Sequence, residues 1–306
     1  MTLPVVALFG VVVWLLAGLL QKQLWPQLAL FVATVYILVE LTNQNALLRV
    51  RSRMVSSVFI LLSCAGNILF SHITGNIVQL CFCIAFLFLF QTYQASHFVG
   101  HTFYAFAAVG LASIAFVQVL WYVPVLWVLM ATQLQSLNIR TWLASLLGLI
   151  LPYWFPLLWL LLPFNLSSEW SVDLSPFSDH FAQLANTTFH LSSFSFQLPL
   201  SAVLVFALTF CLAVVGIAHF WQYSFEDKIR IRLIYGFFTA MTAVTVLFIA
   251  VLPQHFDVLM QLFILCSSPL IAHVMTFTSS RLSNILFFVA LAFAVALTIF
   301  NLFESA

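Results

Sequence analysis

Hydrophobic positions in this chain come in long unbroken runs rather than in stripes. The runs fall at 3–20, 26–41, 54–71, 77–94, 102–119, 122–138, 143–163, 198–222, 233–252, 257–277 and 284–302, with short polar breaks between them. A bilayer core takes about 20 residues of helix, and a helix satisfies its own backbone hydrogen bonds where water cannot. Each run therefore predicts a spanning helix. The fold class expected is all-α, a polytopic transmembrane helix bundle of about eleven spans, forming a single domain over 1–306.

Residues 164–197 break the pattern. Ser175-Pro176 reads as a helix N-cap followed by Pro at the first helical position. Asp179 falls in the first turn, where the helix dipole favours a negative charge. Phe177, Phe181 and Leu184 recur at i, i+4, i+7, one face of a helix. The segment predicts a short amphipathic helix in an outer, periplasmic loop, resting on the membrane or lying as a lid over the bundle. Phe194 and Phe196 alternate with serines, which predicts an extended return strand.

Charge orients the spans. A cytoplasmic N-terminus places Arg49, Arg51, Arg53, Arg140, Lys228, Arg230, Arg232 and Arg281 on the cytoplasmic side and only Lys22 outside. Cytoplasmic loops carry the excess of Lys and Arg, so the N-terminus is expected inside and the C-terminus outside. Trp25, Trp121 and Trp170 then fall at the outer boundary, and Trp142, Trp221 and Tyr223 at the inner one. The least marked division lies between the fifth and sixth spans, around Trp121–Pro124, where the charge pattern requires a tight hairpin. The first run has no basic stretch before it and no Ala-x-Ala site after it, so it predicts a retained span rather than a signal peptide.

Composition removes other classes. Only 6% of the residues are charged and 64% are hydrophobic, against roughly 25% charged in a soluble domain. The formal net charge of +1 gives no reason to expect a nucleic-acid partner. Cys64, Cys81, Cys83, Cys211 and Cys266 all lie in apolar runs, which suits small buried apolar side chains rather than a disulfide framework. No Gly-rich phosphate loop with Lys, no Ser-x-x-Lys and no Gly-x-Ser-x-Gly motif is present, and no cofactor is expected.

Ionisable groups within spans are costly and ask for a reason. Glu40 lies near the inner end of the second span, His219 and Tyr223 one turn apart near the inner end of the eighth, and His273 near the inner end of the tenth, after Ser267-Ser268-Pro269. His97 and His101 bracket the inner loop between spans four and five. Together they form a candidate inner polar cluster lining a cytoplasm-facing cavity, or else snorkel into the headgroup layer. His97 and His101 have the i, i+4 spacing of metal-binding pairs, but no second pair accompanies them and no metal site is expected. Pro152 and Pro156 predict a break in the seventh span, since each lacks the N–H that a helix interior needs.

NQNALLRVRSRM after the second span, the Leu120–Pro124 hairpin and LLGLILPYWF resemble an uncharacterised multi-pass inner-membrane family of Bacteroidetes. The resemblance implies a bacterial inner membrane and brings no catalytic residues with it. Three functions stay open on the residues: a carrier or accessory component of cell-envelope biogenesis, a membrane-embedded enzyme acting on a lipid or polyprenyl-linked substrate, and a structural subunit of an envelope complex. The partners expected are the lipid bilayer and, for the last reading, other membrane-protein subunits.

Overall fold

The computed structural model describes residues 2–48, 52–94, 98–161, 175–185, 198–277 and 281–305. Among them the regular structure is helical throughout, with no strand. The α-helices are α1 (Thr2–Leu16), α2 (Trp25–Asn45), α3 (Met54–Ala65), α4 (Ile73–Gln91), α5 (Val99–Ala115), α6 (Tyr122–Thr132), α7 (Ile139–Ile150), α8 (Trp154–Leu161), α9 (Ser175–Ala185), α10 (Leu200–Tyr223), α11 (Ile229–Val251), α12 (Phe256–Phe277) and α13 (Arg281–Ser305). Among the described residues seven helical segments are long and apolar enough to cross a membrane, and Thr2–Leu16, Met54–Ala65, Val99–Ala115 and Val117–Thr132 are shorter apolar helices. The chain is an integral membrane protein. Phe194, Phe196 and His97 lie outside the described residues.

The shorter helices stop where local chemistry ends them. Chain rotation begins after α1 at Gly18, whose φ of 90° is open to glycine and strained for other residues. Gly66 ends α3, and a 3-10 run over Asn67–Ser71 follows. Phe116 is extended (φ −151°, ψ 97°), so the chain reverses through the 3-10 run Val117–Trp121. That hairpin lies a few residues before the Trp121–Pro124 break that the sequence suggests. Pro124 falls instead in the first turn of α6, where its missing N–H has no helical acceptor to serve.

The chain divides into two compact units, Met1–Cys83 with Leu191–Ala306, and Ile84–His190. In the first, α12 is central, with every residue from Leu259 to Val274 buried, as for a helix apolar all round. Thr2 lies beside Ser57 and Gly10 beside Ile60 and Cys64, so α1 and α3 run parallel. Asn301 Nδ2 donates to Ala65 O at 2.7 Å, and Asn67 Nδ2 to Thr298 O at 3.1 Å, joining the C-terminal ends of α3 and α13. Gln261 Nε2 donates to Leu69 O at 2.8 Å. These amides from α12 and α13 satisfy carbonyls at the break around Gly66, as irregular backbone at membrane depth requires. Trp14 stacks on Phe70 at 3.9 Å between centroids.

In the second unit α5 and α7 pack closest. A Cβ at Gly148 would sit 2.5 Å from Phe103 O, and one at Gly110 2.6 Å from Leu149 O. These contacts, with Ser113 Oγ 2.6 Å from Tyr153 Oη, make α5 and α7 parallel. Trp127 Nε1 donates to Ser145 Oγ at 3.0 Å, placing α6 antiparallel to both. After α7 the chain tightens into a 3-10 turn at Leu151–Tyr153, which contains Pro152, and α8 follows with Pro156 in its first turn. Phe177 and Phe181 of α9 pack against the Tyr153 ring at 5.9 and 5.4 Å.

Candidate functional site

The polar residues that converge do so where α10, α11 and α12 meet. Close approach comes first: a Cβ at Gly216 of α10 would lie 3.0 Å from Leu270 C and O on α12, so glycine lets the two helices touch. One turn further along both helices, on the same faces, His219 meets His273, with Nδ1 atoms 3.3 Å apart. The pairs 216 with 270 and 219 with 273 show that α10 and α12 run parallel.

Asp227 completes the group. After α10 the chain makes a 3-10 turn at Ser224–Glu226, and Asp227 N–H donates to Ser224 O at 3.1 Å. Asp227 is then extended (φ −86°, ψ 149°), which turns its side chain back under the helices. Its Oδ2 lies 3.2 Å from His273 Nε2, and both side chains are only 1% exposed. Tyr235 of α11 and Phe277 present their rings to His273 at 4.9 and 4.7 Å. The Tyr235 hydroxyl itself donates to Leu47 O at 3.3 Å, and Arg230 Nη2 donates to Asn45 Oδ1 at 2.8 Å, so the chain after α2 is tied to the start of α11.

With Asp227 as the carboxylate, this geometry admits two proton arrangements. A carboxylate only accepts, so His273 Nε2 carries the proton shared with Asp227. If His273 is neutral, its Nδ1 is a lone pair and His219 Nδ1 must donate to it, leaving His219 Nε2 free to accept. If His273 is the imidazolium, both its nitrogens donate, and His219 turns its own proton out through Nε2. A proton taken up at His219 thus reappears on His273 beside Asp227 by a shift along two rings. The row runs inward from Tyr223, 48% exposed, whose ring lies 4.6 Å from half-buried His219.

Of the residues singled out in the sequence, His219, Tyr223 and His273 come together. Glu40 lies on α2 in the same unit and accepts a hydrogen bond from Gln44 Nε2 at 2.7 Å; it makes no hydrogen bond or ion pair with the histidines. His101 belongs to the other unit, in the first turn of α5, against the rings of Phe98 and Phe88 at 5.0 and 6.1 Å. Asp227 and Tyr235 are additions from the structure. The sequence carries no mark of Asp227's part in the group, since it stands between Glu226 and Lys228 in a short polar connection.

A second polar group lies at the opposite end of α12. Gln79 Nε2 donates to Gln261 O at 2.7 Å, and the His72–Asp257 pair spans 3.4 Å with both side chains nearly half exposed. An exposed pair of this kind is worth little. Among the described residues no group of three or more His, Cys, Asp or Glu could hold a metal ion. No family model matches the chain, and neither a curated protein nor a solved structure does.

Proposed function

We propose that the chain crosses a bacterial inner membrane about eleven times with its N-terminus in the cytoplasm, and acts as a proton-linked carrier in cell-envelope biogenesis. Helix directions support the count. Within the first unit α1, α3 and α13 are parallel, α10 and α12 are parallel to each other, and α12 runs against α3; within the second unit α5 and α7 oppose α6. Strict alternation of crossings gives this parity when α7 and α8 together make one span. The arginine bias supports the orientation, and the resemblance of NQNALLRVRSRM and LLGLILPYWF supports the compartment.

The single observation that carries the carrier reading is the Asp227–His273–His219 row. Buried ionisable groups in membrane helices mark ion pathways and proton relays, and this row leads from a half-buried imidazole to a carboxylate closed off from solvent. The enzyme reading has one observation in its favour, an apolar cavity of about 410 Å³ between α1, α3, α12 and α13. Among the described residues its wall contains no ionisable side chain. Met275 lines it, and His273 lies two residues earlier on α12, about 200° around the helix. The acid–base groups therefore face away from the space where a lipid chain would lie, which favours the carrier.

Proteoliposomes adsorbed on a solid-supported membrane and exposed to a rapid pH step test the link. Wild-type protein is expected to give a charge-displacement transient as the row takes up or releases protons, and Asp227→Asn and His273→Gln to abolish it. A wild-type trace indistinguishable from protein-free liposomes would sink the proposal.

A further inference from the structure

We infer that the cavity between α1, α3, α12 and α13 is a binding site for an anionic phospholipid, with an acyl chain in the slot and the phosphate at its basic end. The slot holds about 410 Å³ and is walled by Val5, Phe9, Val58, Leu61, Met275 and Leu291, among others. It is open on one side: Val5 at the rim is 68% exposed. In a bilayer that opening faces hydrocarbon, and an acyl chain is the body of matching polarity that the surroundings supply.

Polarity is confined to one end of the slot. The hydroxyls of Thr2 and Ser57 lie 3.4 Å apart there, and the Ser57 hydroxyl also donates to Arg53 O at 3.1 Å, which leaves the exposed Thr2 hydroxyl available to an ester or phosphate oxygen. Three of the four walls begin at this end. The helices α1, α3 and α13 are parallel, and they start at Thr2, Met54 and Arg281. Their first N–H groups and dipoles favour an anion.

Side-chain charge adds to this. Arg53 immediately precedes α3 and is exposed, and no carboxylate among the described residues pairs with it. A slot that is apolar along its length and cationic at one end complements an anionic phospholipid. A zwitterionic lipid would fill the same slot but bring an ammonium to the cationic end.

Native mass spectrometry of the full chain, delipidated in detergent and titrated with phosphatidylglycerol or phosphatidylethanolamine, reads this directly. Wild-type protein is expected to retain phosphatidylglycerol under activation that strips phosphatidylethanolamine. Val5→Trp and Leu291→Trp each fill the slot and are expected to lose that retention. Val5 is exposed, so its replacement leaves the core unaltered even where the second variant folds poorly. Arg53→Gln is expected to keep lipid binding while losing the preference between headgroups. Equal retention of the two lipids by wild type, phosphatidylglycerol retention unchanged in Val5→Trp, an undiminished preference in Arg53→Gln, or a second protein copy in place of lipid would each overturn the assignment.

Discussion

His273 and Asp227 hold one another in a place where neither could stand alone. Both side chains are 1% exposed, and removing one partner of a buried pair strands the other's charge at a cost of about 3–5 kcal/mol. His273→Ala is expected to lower stability by that order in thermal unfolding of the purified protein. Asp227→Asn keeps a hydrogen-bonding side chain and removes the charge, so its loss should be clearly smaller. Glu40 supplies the contrast. Its partner is Gln44 one turn along the same helix, a pair worth about 0.2–0.5 kcal/mol. Glu40→Gln should leave both the melting temperature and the pH-step transient unchanged, and a lost transient would mean that Glu40 belongs to the proton path after all.

At the level of elements, glycines decide which helices touch. Gly216 brings α10 against Leu270, and the His219–His273 contact one turn on depends on that approach. Gly216→Val is expected to push the helices apart and abolish the pH-step transient even though no polar residue has changed. Retention of a normal transient would show that the two imidazoles do not need to meet. In the other unit Gly148 meets Phe103 O and Gly110 meets Leu149 O, both backbone atoms that cannot swing aside. Overpacking of this kind costs about 1–3 kcal/mol, so Gly148→Ala should lower the melting temperature. Gly100, with nothing within 4 Å of a Cβ, should accept alanine without loss.

For the molecule as a whole, orientation rests on where the arginines lie and on the parity of helix directions. A cysteine-free background gives a direct reading. Ser178→Cys on α9 should react with an impermeant thiol reagent in intact spheroplasts, and Ser224→Cys, in the connection from α10 to α11, only after the membrane is opened. The reverse pattern would invert every span.

Helical class and membrane residence were legible in the sequence, because both follow from long apolar runs, and a backbone in hydrocarbon has few other ways to satisfy itself. His219, Tyr223 and His273 were legible too, since an ionisable group in such a run stands out against its neighbours. Asp227 was not. It sits in a short polar connection beside Glu226 and Lys228, where a carboxylate is unremarkable, and only the turn at Ser224–Glu226 carries it beneath α12. The meeting of His219 with His273 was equally invisible, because hydropathy assigns depth along the membrane normal but not position around the bundle. Gly66 begins the break after Ala65, but the carbonyls there are paired by Asn301 and Gln261, 236 and 192 positions further along the chain. Depth is a one-dimensional property that a sequence carries by itself. Azimuth, and therefore which side chains meet, is set by helix contacts that pair distant residues, and only tertiary packing decides it.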